Sequence, residues 1–341
     1  MICPRLRPRA LSKSYPVRTC IIFNPTAKGN KARHFRHHLD EYAAECTLKP
    51  TKAVGDARKL AAHAVEEGFE IIVAAGGDGT LNEVLNGIVD APRGFERARL
   101  GVLPLGTVNV FAREVQIPLK LKDALQTLRT GRETLIDLGT VDYQENGVPA
   151  RRCFAQLAGA GLDARAIELV DWRIKKKLGP LAYVIAGLRA LTERQAKIKV
   201  SDGNREEVGE LILIGNGGLY GGQFRIFPPA DMRDGLLEAC VFSRVNFATL
   251  LRVAPKLLIR GTLPQAATAN IRSQSITLTS DSKVPFEIDG EFGGYLPATF
   301  SMRRMQLRVI VPPPGVGPTS GSDKRKPAEN FATPSVSSSP R

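Results

Sequence analysis

Apolar residues in the first third of the chain come in short uninterrupted runs, at 20–23, 71–75 and 100–103. Such runs, with no polar alternation, read as strands buried on both faces, as in parallel sheets. Between them the period changes. Residues 56–67 carry alanines and a leucine at helical spacing, 81–89 read as a second helix, and 31–46 are polar but helix-compatible. Alternating strand and helix predicts a parallel sheet with helices on both faces. After about Thr134 the texture shifts. Strand-like runs at 211–215, 236–242, 275–279 and 306–311 follow one another, interrupted by helical segments at 164–176 and 180–191. The fold class expected is therefore α/β: a parallel-sheet domain over 19–133, then a β-rich, sandwich-like domain over 134–311. A basic arm (1–18) precedes them, and a Pro/Ser-rich tail (312–341) that reads as disordered follows.

Composition narrows the class. With 341 residues, 43% hydrophobic and 24% charged, the chain reads as a soluble globular protein. Its longest nearly uncharged apolar run, 178–188, is shorter than the roughly 20 residues a spanning helix needs. The N-terminus lacks the apolar stretch of a secretory signal, which predicts a cytoplasmic protein. Five scattered cysteines (Cys3, Cys20, Cys46, Cys153, Cys240) with no C-x-x-C pair fit reduced thiols and offer no zinc site. His34 and His38 lie one helical turn apart, but Arg33 and Arg36 flank them, so they read as a solvated basic face. Half of the net charge of +14 sits on the termini, +5 on residues 1–18 and +2 on 312–341. That excess suggests anionic partners: nucleic acid, phosphorylated substrates or an acidic membrane surface. The arm has no interleaved aromatics, which gives nucleic acid little support.

The chemistry gathers where the strands end. The run at 71–75 leads into Gly76, Gly77, Asp78, Gly79 and Thr80, then directly into a helix. Glycines let a backbone approach a bulky anion, and the first N–H groups of the helix point at it. Thr80 adds a hydroxyl donor. Asp78 repels phosphate, so it suits a magnesium ion or a substrate hydroxyl; a plain turn with Asp78 as helix cap is the blander reading. The run at 100–103 ends similarly in Gly106, Thr107 and Asn109 before a short helix at 108–114, and the run at 20–23 ends in Asn24, Pro25 and Thr26. Three such loops at the ends of neighbouring parallel strands favour a nucleotide phosphate site. None is a Walker A or dinucleotide fingerprint.

With these loops, the series 159–164 (GAGLDA), 228–237 (PPADMRDGLL) and 288–291 (IDGE) resembles the diacylglycerol kinase catalytic-domain family, which includes sphingosine kinases and bacterial lipid kinases. The resemblance runs in order from Cys20 to Val311. It implies ATP and Mg²⁺ as cofactors, with ATP in a cleft between the domains and a lipid substrate met at the membrane surface. It implies nucleotide contacts from Asn24, Thr26, Thr51, Gly77, Asp78, Gly79, Thr80, Leu81, Asn82, Glu83 and Thr107. Asp289 and Glu291 match the acidic pair assigned to the catalytic base, and Asp163 an aspartate near the substrate hydroxyl. Asp231, Asp234 and the Leu236 carbonyl match a structural magnesium site. One departure is plain: the family usually has Asp where this chain has Val110.

Phosphoryl transfer needs positioned phosphates, neutralised charge and a base for the attacking alcohol. The i, i+2 spacing of Asp289 and Glu291 points both side chains the same way if the backbone there is extended. Asp-Gly is also a common hairpin dipeptide, and that alternative stays open. The reading is an ATP-dependent lipid kinase, peripheral to the membrane through its arm and Lys175, Lys176 and Lys177. The alternatives are a soluble-substrate kinase of the NAD kinase type and a non-enzymatic membrane-binding module. The lipid is unspecified, and a homodimer stays open.

Overall fold

The computed structural model describes residues 17–27, 29–169, 181–263 and 268–314. The arm up to residue 16, Lys175 to Lys177 and the tail from 315 lie outside the described residues.

The N-terminal half runs β1 (Thr19–Phe23), α1 (Asn30–His37), α2 (Leu39–Ala43), β2 (Thr47–Pro50), α3 (Asp56–Glu66), β3 (Ile71–Gly76), α4 (Asp78–Asp90), α5 (Gly94–Arg97), β4 (Arg99–Pro104), α6 (Val110–Glu114) and α7 (Leu121–Thr130). Strands β1 to β4 are parallel neighbours in the order β2-β1-β3-β4. Their apolar runs are buried almost throughout, because helices cover the sheet. Helix α4 turns Leu81, Val84, Leu85 and Ile88 into that core at i, i+3, i+4, i+7 spacing. It also approaches α3 closely: a side chain at Gly87 would collide with the Arg58 carbonyl. The helix read at 31–46 is two pieces broken at His38.

The second half runs β5 (Arg132–Glu145), β6 (Val148–Phe154), β7 (Leu157–Gly161), α8 (Leu162–Leu169), α9 (Leu181–Thr192), β8 (Ile198–Ser201), β9 (Glu206–Gly209), β10 (Leu211–Gly215), β11 (Leu219–Tyr220), β12 (Phe224–Arg225), β13 (Leu237–Phe242), α10 (Phe247–Arg260), β14 (Ala269–Ser273), β15 (Ser275–Thr279), β16 (Pro285–Ile288), β17 (Glu291–Tyr295) and β18 (Ala298–Val311). One sheet is ordered β14-β13-β10-β7-β16-β17. It faces strands β5, β6, β8, β15 and β18 across an apolar core that includes Val141, Phe154, Ile212, Ile276, Phe286 and Phe300. The β-rich sandwich follows the sequence pattern. Helix α10 does not; the pattern gives no sign of it.

The two halves share one sheet. Strand β18 pairs antiparallel with β5 along most of its length, and its end pairs parallel with β4 at Val309 and Leu100. Leu307, Val309 and Val311 lie in the N-terminal core. Strand β5 itself carries the chain across the division read at 133 and 134.

Candidate active site

The strand-end loops meet as the parallel topology requires. After β1, the Asn24 carboxamide oxygen accepts from the Thr26 amide at 2.8 Å and its hydroxyl at 2.9 Å, which fixes an exposed Asx turn. The Thr51 amide donates to the Phe23 carbonyl at 2.9 Å, holding the loop after β2 beside it. The loops after β3 and β4 touch backbone to backbone. The Leu105 and Gly106 amides donate to the Gly76 carbonyl at 2.9 and 3.2 Å, and a Cβ on Gly106 would strike the Gly77 Cα. Asn109, at φ 53, closes its loop by two bonds to Gly106, at 3.1 and 2.7 Å, and leaves Thr107 exposed at the tip. Only glycine fits at 106.

At the start of α4, the cap residue is the extended Gly77, which has no side chain to cap the helix. The N–H groups of a helix's first turn are the kind that bind an anion. The Thr80 side chain folds over Gly76, and Leu81 is buried in the core, which leaves only its backbone for a ligand. Asp78 accepts from the Phe111 amide at 3.3 Å, at the start of α6. Burial pushes its carboxyl up to about 6, with Asp289 nearby adding to the rise and the Phe111 amide opposing it. A cation beside it would restore the charged form, so Asp78 fits a Mg²⁺ ion brought in with a nucleotide. Val110, where the family usually has Asp, is buried at the start of the same helix.

Glu83 faces the other way. Its two oxygens accept from the Gly55 and Ala57 amides at 2.9 and 3.0 Å, capping α3. It braces the loop after β2 without reaching the crevice.

The two acids of the I-D-G-E segment separate. Asp289 and Gly290 have φ 48 and 84, so they form the tight turn of the β16–β17 hairpin, and the backbone at 289 is not extended. The shared direction expected from i, i+2 spacing is lost for that reason. Asp289 points inward and accepts four N–H groups: Ala155 at 2.9 Å and Asn82 at 2.7 Å on one oxygen, Gln156 at 2.9 Å and Leu157 at 3.1 Å on the other. Burial pushes its carboxyl up while these donors pull it down. Its acceptor sites are filled, so it is a pin between the domains. Glu291 points the other way, onto the first turn of α4; a Cβ on Gly79 would collide with its carboxylate. Of the pair, Glu291 alone faces the glycine loop at the start of α4.

Asp163, at the start of α8, lies beside the β7–β16 wall. The Tyr220 hydroxyl donates to it, and burial, opposed by that bond, raises its carboxyl. Glu287 stands next to it, fully buried, with one oxygen accepting from the Gly290 amide at 2.7 Å and the other without a partner. Burial, reinforced by Asp163 and Asp289, pushes Glu287 well above the usual carboxylate range. Asp78, Asp289, Glu287 and Asp163 thus form a line of interacting carboxyls from the loops to the sandwich. Glu287 and Tyr220 carry no motif, and sequence reasoning misses them. It also misses Asn86, which with Asn82 holds Cys153; two asparagines at i, i+4 in an apolar helix were a readable signal.

Asp231, Asp234 and Leu236 share one loop, but arginines already engage both carboxylates. Arg233 chelates Asp231 at 2.9 and 3.1 Å. Asp234 accepts from the Leu236 amide at 2.8 Å and from Arg272 at 2.6 Å, and Arg272 also pairs with Glu238 at 2.7 Å. Among the described residues no group of three His, Cys, Asp or Glu side chains is placed to hold a metal ion. This loop, closed by guanidinium groups, does not fit a structural Mg²⁺.

A family model described as "Diacylglycerol kinase catalytic domain" matches residues 18–141. Another, "YegS C-terminal NAD kinase beta sandwich-like domain", matches residues 156–311. The diacylglycerol kinase of Staphylococcus saprophyticus is 30% identical over 303 residues, covering 86% of this chain and 95% of its own. That of Staphylococcus aureus (strain MRSA252) is 31% identical over 306 residues, covering 86% and 92%. The crystal structure of a diacylglycerol kinase from Bacillus anthracis str. Sterne shares the fold, with a TM-score of 0.67 at 23% identity over 89% of this chain and 99% of that one.

Proposed function

The chain belongs to the diacylglycerol kinase family and is a lipid kinase; on that premise we propose that it moves the γ-phosphate of ATP to the hydroxyl of a lipid such as diacylglycerol or a sphingoid base. The observation that carries this reading is the Glu291 carboxylate against Gly79, in the first turn of α4. First-turn amides of α4, with the loops at Asn24, Thr26, Thr51 and Thr107, hold the phosphates. Asp78 would hold a Mg²⁺ ion arriving with ATP, which would supply the neutralisation of phosphate charge. Glu291 takes the proton of the attacking hydroxyl, and Asp163, held by Tyr220, lines the wall against which the acceptor group packs. Asn82 and Asp289 keep the two walls in register.

A soluble-substrate kinase of the NAD kinase type is the second reading, favoured by the description of the C-terminal match. Labelled ATP with a mixed panel of lipids and NAD separates them, since only a lipid kinase yields an organic-extractable product. A label confined to the aqueous phase would reject the proposal. The enzyme meets its substrate as a peripheral protein; among the described residues no helix is long and apolar enough to cross a membrane.

A further inference from the structure

Helix α10 presents an apolar face that nothing in the described chain covers. Phe247, Leu251, Pro255 and Ile259 recur at i, i+4, i+8 and i+12, one stripe on the helix surface. Phe247 is 53% exposed, Leu251 75% and Ile259 74%, and Leu250 beside them 45%. Isolated exposed apolar side chains need no explanation, but four on one helix do. The opposite face is spoken for: Val253 and Leu257 pack with Ile226, Phe227 and Phe242. The fold therefore supports the helix from beneath and leaves its outer stripe open.

Charge says what covers it. Arg252, Lys256 and Arg260 form a second row, each one residue beyond a member of the apolar stripe, and Arg244 stands just before the helix. None of the four enters an ion pair among the described residues. No Asp or Glu occurs from residue 239 to 280. An apolar stripe edged by cations without counter-charges is the form of a helix lying in the headgroup layer of an anionic bilayer. A second copy of the chain fits worse, because a two-fold contact sets like charges near one another.

We propose that α10 is the membrane-contact surface of this enzyme, with Phe247, Leu250, Leu251 and Ile259 entering the headgroup layer of an anionic bilayer and Arg252, Lys256 and Arg260 holding lipid phosphates. The inference rests on the lipid kinase reading and adds a location to it. The cluster beneath α10 also carries Leu162, next to Asp163, and Tyr220, which donates to Asp163. A helix seated in the interface thereby fixes the acceptor group relative to the bilayer.

The test is co-sedimentation of the full chain with phosphatidylcholine vesicles, with and without phosphatidylglycerol, at low and high salt. Two surface variants are compared with wild type: Leu251→Ser with Ile259→Ser, and Arg252→Gln with Lys256→Gln and Arg260→Gln. The apolar variant should lose at least about tenfold in vesicle affinity. The charge variant should lose roughly 100-fold at low salt and most of its salt dependence. Both should keep wild-type rates on detergent-dispersed lipid, and circular dichroism checks the fold; if the apolar variant misfolds, the charge variant decides. Vesicle binding equal to wild type in both overturns the proposal. So does a change of oligomeric state in the apolar variant with vesicle binding retained, which would make the stripe a self-association surface. Wild-type binding with kinase activity intact removes only the surface; lost binding with no lipid phosphorylated by any form removes only the activity reading.

Discussion

Replacing Asp289 with Asn separates a structural pin from a catalytic base. Each carboxylate oxygen accepts two N–H groups: Ala155 and Asn82 on one, Gln156 and Leu157 on the other. An amide in the same place turns its NH₂ toward one of these pairs, whichever way it flips. Two buried donors then lose their acceptor, at about 1–3 kcal/mol each, or about 2–6 kcal/mol together. In a chain of this size each kcal/mol moves the melting midpoint by about 2 °C, so Asp289→Asn should lower Tm by about 4–12 °C. The assay is a thermal melt followed by circular dichroism, alongside kcat measured well below the new midpoint. Because three of the four donors belong to residues 155–157 and one to α4, the loss falls on domain register more than on chemistry. An unchanged Tm with kcat down by about 10²-fold or more would refute this reasoning and make Asp289 the base.

Glu291→Gln should show the reverse: little change in Tm, kcat down by about 10²–10⁴-fold, and ATP binding retained by calorimetry. Near-wild-type turnover would move the base to Asp163. Asp78 has a folded pKa of about 6 against an ordinary 3.8, so the folded, nucleotide-free protein holds this proton more tightly and gains stability as pH falls through that window. Asp78→Asn should abolish that slope and stabilise the protein above pH 6 by on the order of 2 kcal/mol after solvent screening, as read from melts across pH; an unaltered slope rejects it. Chelating divalent ions should leave the Tm of nucleotide-free protein unchanged, because Arg233 and Arg272 already neutralise Asp231 and Asp234. A clear fall on chelation would reinstate a metal in that loop.

What was legible in the sequence was what local pattern encodes. Buried parallel strands are uniformly apolar, so β1, β3 and β4 stand out, and the glycine in the loop after β4 follows from steric need at Gly106. Helix α10 stayed hidden because its apolar residues lie on both faces and Pro255 interrupts the pattern, although the helix absorbs it. The direction of Glu83 was illegible, because its partners at 55 and 57 belong to another helix. Asp289 and Glu291 could be named as a pair, but which one faces the loops depends on positive φ at the turn. The hairpin reading of that segment describes its backbone. The partnership of Asp163 with Glu287 and Tyr220 depends on three distant segments and left no trace in spacing.

Strand β18, the last among the described residues, has a consequence for synthesis. Residues 307–311 complete the sheet and core of the first half, between β4 and β5. As the polypeptide emerges from the ribosome, β4 therefore waits as an open edge until residues 307–311 have been made. The sheet of the first half is completed by a pairing between residues about two hundred positions apart, and pairings of such separation form slowly. Half-built sheets with open edges are prone to aggregate. A fragment ending before β18 should consequently emerge as an aggregating sheet edge, without a usable phosphate site.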